Sequence, residues 1–89
     1  MHEILLSHGY KLVDDAWTTY GRKTYVHDDN ADRKYLVNLE KTIRAMGWVR
    51  SRDQLRMFRH QTTADIIEIE PGGPKIGGHL LHHQKWESQ

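Results

Sequence analysis

Histidine and arginine are the residue types in this chain whose number and spacing could do chemistry. Seven histidines occur in 89 residues, and His79, His82 and His83 fall close together. On a helix, His79 and His83 would share a face at the i, i+4 spacing, with His82 beside His79 at i+3. Two imidazoles so placed can chelate zinc, but a stable site needs a third and usually a fourth ligand. Cysteine is absent, which leaves Glu87 or His2 as further donors. The competing reading of the three histidines is a polar helix face, and no cofactor is expected. His27 and His60 recur at matched strand ends, where an imidazole either contacts phosphate or covers a half-buried edge.

The arginines form a denser group. Residues 41–60 carry six Lys or Arg against Asp53 alone, a local charge of +5, whereas residues 1–40 and 61–89 each sum to −2. Such asymmetry can attract a polyanion. Arg50, Arg52, Arg56 and Arg59, interleaved with Trp48 and Phe58, combine bidentate phosphate donors with aromatic faces on which bases stack. The candidate nucleic-acid-binding set is therefore Arg50, Arg52, Arg56, Arg59, Trp48 and His60. Arg50 and Arg52 are expected to share one strand face, with Val49 turned to the core. An acidic protein could use the same surface, or a partner could add a strand to a short polar sheet edge. Pro71-Gly72-Gly73-Pro74-Lys75-Ile76-Gly77-Gly78 lacks the phosphate-loop spacing GxxxxGK[ST] and reads as a connection.

The elements that must position these residues come in two similar runs. An apolar stretch ending at Gly9-Tyr10 precedes Lys23–His27, and a second ending at Gly47-Trp48 precedes Arg56–His60. Gly9 matches Gly47, Tyr10 matches Trp48, Tyr25 matches Phe58 and His27 matches His60. A repeated helix–strand–strand unit needs a neighbour to cover its apolar face. Helices are expected at His2–His8 and Lys41–Met46, with strands at 10–13, 17–27, 48–50, 57–60 and 65–70. A bulge is expected near Gly21, turns at 14–16, 51–54 and 61–64, and a loop at 28–32. Residues 33–46 fit either one long helix, through Leu36, Leu39, Ile43 and Met46, or a strand followed by a shorter helix. The match of Leu36–Glu40 to Ile66–Glu70 favours the strand. A short helix from Gly78 or His79, burying Leu80 and Leu81, is expected to close the chain.

The second unit resembles the HicA family of small mRNA-cleaving toxins, which have a double-stranded-RNA-binding-like α-β-β-β-α fold. The matching residues are Lys41–Met46, Gly47-Trp48, Val49-Arg50, Asp53-Gln54-Leu55, Phe58-Arg59-His60, Ile66–Ile69 and Gly78 onward, with an echo in 1–40. The resemblance implies an RNA-directed module, but its catalytic histidine would fall on Leu55 in the second unit and near Arg22 in the first. Leucine has no titratable group and arginine stays protonated, so neither can serve as general base. What the resemblance then implies is binding without cleavage, because duplex RNA is read largely by shape and by phosphate contacts.

Length and composition set the frame. Eighty-nine residues suit one domain (1–40 first unit, 41–70 second unit, 71–89 Gly/Pro loop and C-terminal helix). Without cysteine there is no disulfide framework or thiolate metal site. No apolar run approaches the ~20 residues of a membrane span, and nothing resembles an export signal, so the expected location is cytoplasmic and no membrane partner is expected. The expectation is an α+β protein with an antiparallel sheet and short helices on one face. Its expected role is non-enzymatic: a nucleic-acid-binding module, with a protein-interaction module (an inhibitor or antitoxin-like partner) or a His-dependent metal-binding protein as alternatives. Oligomeric state is left open.

Overall fold

The computed structural model describes residues 1–28, 33–54, 56–71 and 78–85, with side chains from Leu36 onward in the third helix and up to Glu70 in the fifth strand. The elements run α1 (His2–Ser7), β1 (Lys11–Ala16), α2 (Trp17–Tyr20), β2 (Arg22–His27), α3 (Arg33–Arg44), β3 (Trp48–Arg50), β4 (Met57–His60), β5 (Ile66–Pro71) and β6 (His79–Gln84). The strands form one antiparallel sheet in the order β1-β2-β6-β5-β4-β3. Its core face carries Tyr25, Leu81, Ile69, Ile67 and Phe58, and Leu5 of α1 with Leu39 and Ile43 of α3 join them in one buried cluster. Both helices therefore cover the same face, as expected of an α+β fold. No helix among the described residues is long and apolar enough to cross a membrane.

Residues 33–44 form one helix, and the strand expected at Leu36–Glu40 does not exist. The stripe Leu36, Leu39, Ile43 reaches the core only with a 3.6-residue period, and Glu40 bonds Arg44 four residues on. Burial along one helix face outweighed the resemblance of five residues to β5. The expected C-terminal helix is corrected likewise. His79–Gln84 is strand β6, with His79, Leu81 and His83 buried and Leu80, His82 and Gln84 less so, a two-residue period. Smaller corrections concern the first hairpin: β1 continues through Asp14 and Asp15 with an irregularity between Leu12 and Asp14, and Trp17–Tyr20 is a helical turn. Gly21 ends that turn in the left-handed region at φ 69° instead of forming a strand bulge. Of the expected loops, residues 29–32 and 72–77 lie outside the described residues.

The duplication does not hold with the expected units 1–40 and 41–70, because α3 crosses their boundary; what repeats is an interleaved form. The first unit's third strand is β6, supplied from beyond the whole second unit, so the halves are α1-β1-β2-β6 and α3-β3-β4-β5. Their registers agree pair by pair. Leu12 faces Tyr25 as Arg50 faces Phe58, and Tyr25 faces Leu81 as Phe58 faces Ile67. Leu5 and Ile43, each fully buried, are the helix counterparts. Glu68 and His82 are each other's counterparts and also a cross-strand pair, so the local twofold passes through that pair, perpendicular to the sheet.

Candidate nucleic-acid interface

β3 and β4 form the hairpin that carries the four arginines. Trp48, Phe58 and His60 lie on the core face, and by alternation so does Arg50; Val49, Met57 and Arg59 lie on the open face. This reverses the expected arrangement. Val49 is 43% exposed rather than buried, and the Arg50 side chain folds back over the helix-covered side. Its guanidinium sits 5.9 Å from the centre of the Phe58 ring and pairs with Glu40 of α3, which also holds Arg44 at 3.3 Å. Arg52 lies in the turn beyond β3 and shares no strand face with Arg50. Arg52, Arg56 and Arg59 are exposed, and Arg52 and Arg56 make no ion pair among the described residues. Beside the hairpin opens a cleft of about 390 Å³, with Val49, Met57 and Ala64 as apolar wall and Arg50, Arg59 and His60 among its polar residues.

Two residues of the candidate set have other occupations. Trp48 is 4% exposed and meets His60 edge-on at 5.2 Å and His83 at 5.7 Å, so its ring offers no stacking face to a base. His60 is saturated internally. Its Nε2–H donates to the Met46 carbonyl at 2.8 Å, and its Nδ1 accepts the backbone N–H groups of Thr62 at 3.1 Å and Thr63 at 3.3 Å. That network assigns the tautomer protonated on Nε2. His27 repeats the device by donating from Nε2 to the His8 carbonyl at 3.0 Å. Both rings press against a glycine with positive φ, Gly9 at 88° and Gly47 at 101°, where a β-carbon would come within 3.0 Å of Nε2. The matched histidines thus cap the last turns of α1 and α3.

The C-terminal histidines divide between faces. His79 is fully buried, stacks on His27 at 5.2 Å and has Nε2 2.6 Å from the Tyr10 hydroxyl. Burial pushes the Tyr10 phenol well above its ordinary range, so it keeps its proton for this contact. His82 lies on the open face between Thr24 and Glu70, at 3.0 Å from each. His83 is wedged between the indoles of Trp17 and Trp48, with Nε2 3.5 Å from an Asp65 carboxylate oxygen and no partner in hydrogen-bonding geometry. Desolvation lowers its pKa from the ordinary 6.5 and the Asp65 charge opposes that shift. The helix that would have aligned His79, His82 and His83 is absent. Among the described residues no three His, Asp or Glu side chains form a metal-ligating group.

The chain matches no protein-family model, no curated protein and no solved structure. Two features of the hairpin escaped the sequence reading. Glu40, taken for the end of a strand, is the carboxylate that restrains Arg50. Gln61 and Ala64, taken for an ordinary turn, line the cleft. The i, i+4 relation of Glu40 to Arg44 was the available signal for the first; nothing local marked the second.

Proposed function

We propose that this chain is a small non-enzymatic binding module that holds nucleic acid through the β3–β4 hairpin. The observation that carries the reading is the pair of exposed guanidiniums, Arg52 and Arg56, with no carboxylate partner among the described residues, beside Arg59 and the cleft. Cations paired inside a fold are structural; cations left to solvent on one projecting turn are available to phosphates. Trp48 and His60 drop out of the contact set, and Arg50 joins it only when released from Glu40. Leu55, which lies outside the described residues, stands where the resembled family would place its histidine, and that supports binding rather than cleavage.

The protein-interaction alternative has less support. β3, an edge of the sheet, is three residues long, and β1, the other edge, is irregular and carries Asp14 and Asp15. Short, bulged and charged edges are the features that discourage strand addition. Salt titration tests the proposal: affinity for RNA or DNA should fall steeply with ionic strength, by a log–log slope of about −0.7 to −0.9 for each phosphate contacted. Arg52→Gln with Arg56→Gln should flatten the slope by roughly two such contacts. Wild-type protein showing no salt-sensitive binding at low ionic strength would remove the proposal.

A further inference from the structure

Resting on the nucleic-acid reading, we infer a second contact, specific for unpaired bases, at the corner of the sheet formed by α2 and the start of β2. The local twofold relates this corner to the arginine hairpin, since Lys23 occupies in β2 the place that Arg56 occupies before β4. Tyr20, Arg22, Lys23 and Lys85 lie on neighbouring stretches of backbone there. Tyr20, the last residue of α2, is 73% exposed, the most exposed of the large apolar and aromatic side chains described. Arg22 and Lys85 are also exposed, and Lys85 is fixed beside Gly21 by a backbone bond from its N–H to the Gly21 carbonyl at 2.7 Å. Lys85 and Lys23 place their ammonium groups 4.7 and 5.6 Å from the centre of the Trp17 indole.

Those two cation–π contacts settle the lysine stems without neutralising them. None of Arg22, Lys23 and Lys85 forms an ion pair among the described residues. Asp15, paired across from Lys23 in the β1–β2 ladder, accepts the Trp17 backbone N–H at 3.2 Å instead. An exposed phenol ring beside a strand that carries Lys23, with Lys85, toward Trp17 and Arg22 on the opposite face suits a nucleobase with its phosphates. Duplex bases hide their π-faces in the stack, so Tyr20 selects single strands. The hairpin cannot supply this selectivity, because Trp48 and Phe58 are both buried. Thr18 and Thr19 beside Tyr20 make the tip too polar for a lipid anchor.

The two corners lie diagonally across a molecule whose longest dimension is 36 Å. A strand of about a dozen nucleotides, within the roughly 4–16-nucleotide sites of small binding folds, reaches both; one of about four does not. Joining two weak contacts on one strand raises affinity through effective concentration. The experiment is fluorescence anisotropy of the intact protein with labelled oligothymidylates of both lengths and with a duplex of the longer length.

The dodecamer should bind more tightly than the tetramer and the duplex. Tyr20→Ala should weaken dodecamer binding about tenfold while leaving the duplex unaffected, and Tyr20→Phe should restore it, since base stacking needs the ring and not the hydroxyl. Arg22→Gln with Lys85→Gln should reduce the salt slope for the dodecamer. If Arg52→Gln with Arg56→Gln weakens binding but Tyr20→Ala does not, the inference is overturned and the hairpin reading stands. A duplex bound better than the single strand also overturns it. If the wild type binds none of the probes, both fall.

Discussion

Alanine at Gly47 would have to hold a backbone φ of 101° and bring a β-carbon within 3.0 Å of His60 Nε2. The left-handed conformation alone costs a β-carbon-bearing residue about 1–2 kcal/mol. Gly47→Ala and Gly9→Ala should therefore each lower unfolding stability by at least that amount in urea titrations, and by similar amounts, because the two sites share one geometry. An indifferent Gly9→Ala would break the proposed equivalence. His60→Ala removes the acceptor and donor that serve Met46, Thr62 and Thr63 and, since these groups are exposed to water, should cost about 0.5–1.5 kcal/mol. His83 makes a pH prediction. Its folded-state pKa lies below the ordinary 6.5, so the unfolded chain binds the proton more readily and stability rises with pH through that region. The contribution is complete above 6.5 and is lost as pH falls from 6.5 through the lowered value. His83→Leu should flatten the acid limb of stability against pH, measured by denaturant midpoints; an unchanged limb would acquit His83. At this scale the sequence was informative: the matches Gly9–Gly47, Tyr10–Trp48, Tyr25–Phe58 and His27–His60 all hold in space. The histidine's task was not legible, because a ring capping a carbonyl and a ring meeting a phosphate have the same spacing.

At the scale of elements, Glu40 ties α3 to the edge strand β3 while its neighbour Arg44 shares the load. Partly exposed ion pairs contribute little to folding, so Glu40→Gln should change stability by less than about 1 kcal/mol. It should nevertheless free Arg50 and tighten nucleic-acid binding, steepening the salt slope by about one further contact. Weaker binding by Glu40→Gln would show that Arg50 needs its tether. The assignments that failed here failed for physical reasons. Leu36–Glu40 carries both periods at once, and only the position of the core selects the helical one. In His79–Gln84 the alternation that marks a strand is hidden, since two of its three inward residues are histidines and count as polar in any hydropathy pattern. Burial of His79 and His83 depends on Tyr10, Trp17 and Trp48, which come from distant parts of the chain.

For the whole molecule, the place of β6 matters most. A C-terminal helix would be free to fray, but β6 lies between β2 and β5 and joins the two halves. A chain ending at Glu70 should therefore lose both halves together, giving no near-ultraviolet circular dichroism and no cooperative urea transition. A native-like spectrum from that truncation would mean that each half folds without the seam. The interleaving was invisible to a local reading, because similarity between adjacent segments says nothing about which segment completes which. It also orders events during synthesis. The second half is contiguous in sequence from α3 through β5, whereas α1, β1 and β2 must wait for a strand that follows all of it. Until β6 pairs, the β5 segment exposes Ile67 and Ile69 beside unpaired backbone donors and acceptors, onto which a strand of a neighbouring chain can add. At high chain concentration a β6 donated by a neighbouring chain would complete the sheet as well as its own.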